Sequence, residues 1–107
     1  GLGDDSIEVL VDGLSGNNSL QELNLELNKI GDTGACHLSN LLLMNKSLMV
    51  LNLNGNLIDD DGAKALEKSL KKKIYLQKII LLNNKFSVEG KMMLAQSVLR
   101  REVQLVI

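Results

Sequence analysis

The sequence predicts an α/β solenoid of stacked strand-plus-helix units, with parallel strands on the inside and helices on the outside. One residue pattern returns every 28 residues, and each unit changes from strand-like to helix-like periodicity. The 107 residues also include one Tyr, one Phe, no Trp and no Pro. A core so poor in aromatic residues must be filled by aliphatic side chains, which suits stacked layers of equivalent residues.

The 28-residue period starts anew at Leu20, Leu48 and Leu76. It divides a single domain, residues 1–107, into a partial unit 1–19, the units 20–47, 48–75 and 76–103, and the start of a further strand at 103–107. Aliphatic residues occupy the first, fourth and sixth positions of each full unit, and glycine the fifteenth; the ninth position holds Asn28, Asn56 and Asn84. A repeat of this length indicates a solenoid in which each unit buries its apolar face against its neighbours.

Each unit is expected to begin with a strand and to continue into a helix. The alternation in Leu23-Asn24-Leu25-Glu26 is typical of a strand, and after the glycine the apolar residues fall at helical spacing. Asp32 and Asp60 precede two of these helices and are predicted to cap them and to complement their dipoles. The repeated asparagine is predicted to satisfy backbone groups where the chain leaves each strand.

The last unit departs from the pattern. Lys91 replaces an alanine, and Arg100-Arg101-Glu102 replaces the Asn-x-Ser sequence found at 17–19 and 45–47. The strand that follows either has Val103 and Val106 at the repeating apolar positions or begins within Gln104–Ile107. The unit is therefore interpreted either as a terminal cap or as a divergent internal unit.

The chain resembles the ribonuclease-inhibitor-like subfamily of leucine-rich repeats over essentially its whole length. The resemblance rests on the 28-residue unit and on the motif L-x-x-L-x-L-x-x-N-x-I-x-x-x-G-A followed by a helix. Members of that subfamily are typically cytoplasmic or nuclear, so the resemblance implies a cytoplasmic protein, with a nuclear location as the alternative. It implies a leucine-rich-repeat solenoid that is a right-handed β-α superhelix, with a parallel concave sheet and convex helices. It also implies a partner held on the concave sheet but no single activity.

Charge and composition restrict the class of partner. The formal net charge is −1, which argues against general electrostatic binding to nucleic acid or to an anionic membrane. The one cysteine, Cys36, fits a reducing compartment, and no apolar run approaches the roughly 20 residues needed to span a membrane. We therefore expect a protein partner and no cofactor.

No residue cluster in the sequence predicts catalysis or a metal site. Cys36 and His37 are neighbours on a helix and point about 100° apart, so they cannot act on each other directly. Asp59-Asp60-Asp61 lacks the spaced oxygens of a calcium loop and is interpreted as an acidic helix N-terminus. Lys71-Lys72-Lys73 is interpreted as a basic helix C-terminus. Asn17-Asn18-Ser19 and Asn45-Lys46-Ser47 fit the glycosylation pattern but are interpreted as turns.

The partner-binding residues are predicted at the strand positions that face away from the core. They are Glu22, Asn24, Glu26, Asn52, Asn54, Lys78, Ile80 and Leu82, with Val50 on the same face. Ile80 and Leu82 break the alternation, because they leave their strand apolar on both faces. Two explanations stay open: cover by a neighbouring unit or a C-terminal segment, and a hydrophobic patch that binds the partner.

These observations predict a non-enzymatic protein-interaction module, a segment of a longer intracellular leucine-rich-repeat protein. One alternative is a fragment of a GTPase-activating regulator resembling Ran GTPase-activating protein. The other is a cytoskeletal scaffold segment, actin-capping or axonemal. Residues 1–19 carry four acids and no base, whereas 76–103 carry five bases and two acids. The two ends of the solenoid therefore differ in the sign of their charge. Their exposed strand edges are expected to allow self-association between molecules.

Overall fold

A computed structural model describes residues 1–72 and 74–107; Lys73, the last residue of the predicted basic run, lies outside the described residues. Helices and strands alternate along this part of the chain. The helices are α1 (Asp4–Leu14), α2 (Asp32–Met44), α3 (Asp60–Leu70) and α4 (Val88–Ser97). The strands are β1 (Glu22–Asn24), β2 (Val50–Asn52), β3 (Lys78–Ile80) and β4 (Gln104–Val106). The strands form one parallel sheet in the order β1-β2-β3-β4, which confirms the predicted α/β solenoid.

The strand register corrects the length predicted for the third unit. Glu22 pairs with Val50 and Val50 with Lys78, both 28 residues apart, but Lys78 pairs with Gln104, only 26 residues further on. The helix α4 is one residue shorter than α3, and the connection to the next strand is also one residue shorter. Val106 therefore lies beside Ile80 on the concave side, so the interpretation that made Val103 and Val106 repeating core positions is wrong.

The core consists of layers of aliphatic side chains between the sheet and the helices. In the central unit Leu51 and Leu53 of the strand and Leu66 and Leu70 of α3 have no exposed surface. Leu23, which pairs with Leu51 in the outer strand β1, is half-buried. The inward positions derived from the 28-residue period are therefore the positions that form the core.

A left-handed turn follows each of the first three strands. The φ angle is +57° at Leu27, +72° at Gly55 and +57° at Asn83, equivalent residues 28 apart. Backbone hydrogen bonds continue the ladder to the turn, as from the Leu27 N–H to the Asn54 carbonyl at 2.8 Å. Glycine adopts this conformation freely, whereas leucine does so at a cost of about 1–2 kcal/mol.

The repeated asparagine joins neighbouring units where the chain leaves each strand. Asn56 is buried, and its side-chain amide donates to the carbonyls of Leu25 at 3.0 Å and Leu53 at 3.1 Å. Its Oδ1 accepts the backbone N–H of Ile30 at 3.1 Å. Asn84 repeats all three contacts one unit later: it donates to the carbonyls of Leu53 and Leu81 and accepts the N–H of Ile58. The asparagines therefore satisfy backbone groups as predicted, and they do so across the boundary between units.

Asp32 and Asp60 lie in the first turns of their own helices, where they complement the dipole as predicted, but the prediction that they cap those helices is wrong. Gly31 precedes α2 and provides no side-chain cap, and the N-cap of α3 is Asp59. Asp32 Oδ1 instead accepts the N–H groups of Asp59 and Gly62 in the next unit, at 3.0 Å each. Asp60 accepts the N–H of Ser87 at 2.9 Å and also its hydroxyl, and Ser87 in turn caps α4 by accepting the Gly90 N–H. Asp32 thus caps the helix of the following unit directly, whereas Asp60 holds the residue that caps it, and both lie near the positive end of that helix dipole.

The repeated glycine leaves room for this carboxylate, and its replacement is expected to destabilise the fold. A Cβ atom at Gly62 would lie 2.7 Å from Asp32 Oδ1 and would also collide with the Ile58 side chain. Gly62→Ala should lower the free energy of unfolding by about 1–3 kcal/mol. In the control Gly13→Ala, on α1, the added methyl group meets nothing within 4 Å and should raise stability by up to about 1 kcal/mol. Urea unfolding of both variants measures the difference; equal midpoints would contradict the cross-unit packing.

Candidate functional site

The strand side chains that point away from the helices form one continuous surface, which we call the concave surface. Strand pairing arranges them in three rows across β1, β2 and β3. The rows are Glu22, Val50 and Lys78; Asn24, Asn52 and Ile80; and Glu26, Asn54 and Leu82. All are exposed or half-buried. The structure therefore brings the eight predicted partner-binding residues together on one face, although their role in binding stays a prediction.

The chemical character of the concave surface changes from one side to the other. Glu22 and Glu26 make the β1 side acidic, whereas Lys78, Ile80 and Leu82 make the β3 side cationic and apolar. Neighbouring strands lie about 4.8 Å apart, so the acidic and apolar sides are separated by about 10 Å. A partner that spans the surface must therefore present a basic or polar group at one side and an apolar group at the other.

Backbone contacts fix the polar side chains in the middle of the concave surface. The Oδ1 atoms of Asn24 and Asn52 accept the N–H groups of Glu26 and Asn54, both at 3.0 Å. Asn83 then donates from Nδ2 to the Oδ1 of Asn54 at 2.8 Å. Because these side chains are already oriented in the free protein, a partner that hydrogen-bonds to them loses less conformational entropy on binding.

The structure separates the two apolar residues that break the alternation of β3. Ile80 is half-buried and has Val106 of β4 beside it, so the C-terminal strand covers part of its surface. Leu82 lies beyond β3 and is 40% exposed. Cover by a C-terminal segment therefore applies to Ile80, while Leu82 is available for contact.

The sequence interpretation missed Leu27 at the margin of the concave surface. Its side chain is 75% exposed although its backbone has φ +57°, an unfavourable conformation for a bulky residue. The Leu27 Cδ2 atom lies over Gly55, 2.6 Å from the place a Cβ would take. An exposed leucine held in a strained turn motivates a functional hypothesis. The only signal in the sequence is the set Leu27, Gly55 and Asn83 at equivalent positions, in which leucine does not suit the turn.

Comparison with known proteins agrees with this geometry. A protein-family model described as Leucine Rich repeat matches residues 16–38 and 45–66. The fold is a leucine-rich-repeat solenoid. It is similar to a solved structure titled Leiomodin-1 Actin-Binding Site 2 (ABS2), with a TM-score of 0.89 and 19% sequence identity over 98% of this chain. The chain spans 63% of the length of that structure. No curated protein sequence matches this chain.

On the helical side of the leucine-rich-repeat solenoid, His37 faces the neighbouring helix. Its Nε2 lies 3.4 Å from a carboxylate oxygen of Glu8 on α1. Cys36, the next residue along α2, is an exposed free thiol. Of the two neighbours Cys36 and His37, which were predicted not to act on each other, the histidine therefore contacts a carboxylate of another unit.

Three carboxylates converge near the start of α3. Oxygen atoms of Asp32, Asp59 and Asp61 lie within 4.8 Å of one another, whereas Asp60 is directed to Ser87. Burial and the neighbouring Asp59 carboxyl raise the pKa of Asp32, against the two backbone N–H groups that lower it. The Ser87 hydroxyl and N–H lower the pKa of Asp60 from 3.8. Capping explains the cluster, because Asp32 accepts two N–H groups and Asp59 accepts the Asp61 N–H at 2.9 Å.

The Asn-x-Ser sequences form turns at the N-terminal edge of the sheet. Asn45 is buried; its Oδ1 accepts the N–H groups of Ser47 and Leu48 at 2.8 and 2.7 Å, and its Nδ2 donates to the Asn17 carbonyl at 2.9 Å. The side-chain amide is thus fully used inside the solenoid, as the turn interpretation predicted.

At the predicted basic end of α3, the Lys71 Nζ atom lies 3.6 Å from a carboxylate oxygen of Glu67, one helical turn earlier. Within the described residues, no helix is both long enough and apolar enough to cross a membrane.

Proposed function

We propose that this chain is a non-enzymatic protein-interaction module that binds one protein partner through the concave surface. The observation that carries the proposal is the continuous face on which oriented asparagines lie between an acidic side and an apolar side. Exposed Leu82 and Leu27 extend that face at the turn. The one histidine supports the non-enzymatic reading, because it contacts Glu8 on the helical side, away from the concave surface.

We further infer the ribonuclease-inhibitor-like subtype and an intracellular protein longer than this segment. The 28-residue separation of β1, β2 and β3 supports the subtype. Residues 1–107 act as one domain in this proposal, because a continuous core joins all of the units. The GTPase-regulator alternative stays a prediction.

A photo-crosslinking residue placed on the concave surface tests the proposal. Glu22 is exposed on that surface, and Leu43 is 48% exposed on α2 and provides a control on the helical side. The crosslinker at position 22 should capture one protein repeatedly from cell extract, and the crosslinker at position 43 should not. Capture of the same protein with equal yield from both positions would contradict binding through the concave surface.

A cytoskeletal partner is the second candidate. It is favoured by the match to a solved structure whose title names an actin-binding site, a match that covers 98% of this chain. If actin is the partner, co-sedimentation with filaments or binding to monomeric actin should be measurable with purified components. Leu82→Glu should weaken binding about tenfold or more, because it places a charge in an apolar contact. The matched control Leu43→Glu should leave the affinity unchanged. Failure of the parent chain to bind either form of actin would reject this candidate alone.

A further inference from the structure

The N-terminal edge of the sheet differs between the first and the second half of the chain. In the first half the Asn45 side chain closes the edge, and the Ser47 hydroxyl donates to the Leu20 carbonyl at 2.8 Å. One unit after Ser47 the chain has Tyr75, which is 57% exposed. At this position the serine hydroxyl that bonds to the Leu20 carbonyl is therefore replaced by a ring that reaches solvent.

A groove of about 800 Å³ lies at this altered edge, between the loops that precede β3 and β4. We call it the basic groove, and its main lining residues are Lys72, Ile74, Tyr75, Arg100, Arg101 and Val103. Lys72 lies in the loop after α3 and Arg100 in the loop after α4, and both line the groove. Glu102 is the one acid among the lining residues, beside three cations.

The cations of the basic groove differ in their relation to the neighbouring helix ends, because Lys72 directly follows the C-cap of α3 and Arg100 lies beyond the C-cap of α4. The last turn of α4 carries no basic residue, and Arg100 comes three residues after that helix ends at Ser97. Lys72 comes two residues after the end of α3. Arg101 has a structural role, because its guanidinium donates to the Lys71 carbonyl. Lys72 and Arg100 are exposed and remain available to a ligand.

Apolar side chains also line the groove. Ile74 and Val103 are half-buried, and the Tyr75 ring is exposed. Cations alone would suit any anion, but cations beside apolar side chains suit a peptide that carries carboxylates on both sides of an apolar side chain. The overall charge of −1 and the acidic Glu102 disfavour a polyanion such as RNA.

We propose that the basic groove binds an acidic peptide segment of a partner protein, with an apolar side chain of the peptide packed against Ile74, Tyr75 and Val103. Lys72 and Arg100 pair with carboxylates that flank this side chain. The site is distinct from the concave surface and does not depend on the proposed function. Gln77 lines the groove and precedes Lys78 of the concave surface, so one partner can reach both.

Selection from a displayed library of random dodecapeptides against the full 107-residue chain tests this proposal. The selected peptides should be rich in Asp and Glu around at least one apolar residue. Measured by fluorescence anisotropy, Lys72→Glu with Arg100→Glu should weaken binding of a selected peptide about tenfold or more. Lys64→Glu, on the exposed face of α3, makes the same type of charge change outside the groove and should weaken binding less than twofold.

Tyr75→Ala separates the apolar contribution from the charges. It should weaken binding of the selected peptide but not of a variant peptide with serine in place of the apolar residue. Equal losses with Lys64→Glu and with the groove variants would overturn the proposal, as would selected peptides without acidic residues. Tighter binding of a single-stranded oligonucleotide or of anionic vesicles than of any peptide would overturn it too.

Discussion

Leu51→Ala should lower the free energy of unfolding by roughly 2–5 kcal/mol, the range of large-to-small changes in protein cores. Leu51 has no exposed surface and lies between Leu23 and Ile79 in the sheet. In a solenoid each unit contacts only its neighbours, so a cavity in the middle unit weakens its stacking on both sides. Urea unfolding followed by circular dichroism measures the loss.

Two further leucines provide controls of graded burial. Leu23 occupies the same position in β1 but is half-buried, and Leu43 is 48% exposed on α2. Leu23→Ala should cost clearly less than Leu51→Ala, and Leu43→Ala should change stability by no more than about 0.5 kcal/mol. Similar losses for all three variants would mean that the inward register has been misassigned.

The inward register of the first three strands could be predicted because the 28-residue period and the alternation define it. Once Leu20, Leu48 and Leu76 are aligned, every inward strand residue follows, and so do the outward residues of the concave surface. The hydrogen-bonding role of the ninth-position asparagine could be predicted for a similar reason, since the buried backbone at a strand end requires a partner.

Contacts between units could not be predicted from the period. A repeat places Asp32 and Asp60 at equivalent positions, so the sequence alone does not distinguish an aspartate that caps its own helix from one that accepts hydrogen bonds at the start of the next. The shortened third unit was also ambiguous, because Val103, Leu105 and Val106 are all apolar and only strand pairing assigns the inward side to Leu105.

The basic groove was missed because each of its charges had an ordinary local explanation. Lys72 belongs to a run next to a helix end, and Arg100 to a unit that departs from the pattern. Lys72 and Arg100 both lie in the loop between a helix and the next strand of neighbouring units, which was a signal that these side chains lie near each other. That signal has meaning only when the Asn-x-Ser turn, which closes the same edge in earlier units, is seen to be absent there.

Asn56→Asp should be among the most damaging substitutions that preserve side-chain size. The aspartate keeps an oxygen for the Ile30 N–H but loses the donor that satisfies the Leu25 and Leu53 carbonyls. At neutral pH it also places a negative charge beside two carbonyl oxygens in a site only 2% exposed. Each unsatisfied buried group costs about 1–3 kcal/mol, so we expect a loss of about 2–5 kcal/mol in the free energy of unfolding.

The pH dependence of Asn56→Asp distinguishes a lost donor from a general packing defect. Burial and the two carbonyls raise the pKa of the introduced carboxyl in the folded state, and the protonated form can again donate a hydrogen bond. The free energy of unfolding that Asn56→Asp loses relative to the parent should therefore become smaller as the pH falls from neutral to about 4, near the ordinary carboxyl pKa. Asn28→Asp is the matched control: Asn28 is half-buried and donates to the carbonyls of Leu25 and Glu26, so water can replace part of its contacts. Urea unfolding at both pH values measures these differences. If Asn56→Asp lost the same free energy of unfolding as the control, at both pH values, the hydrogen bonds assigned to the repeated asparagine would not explain its effect.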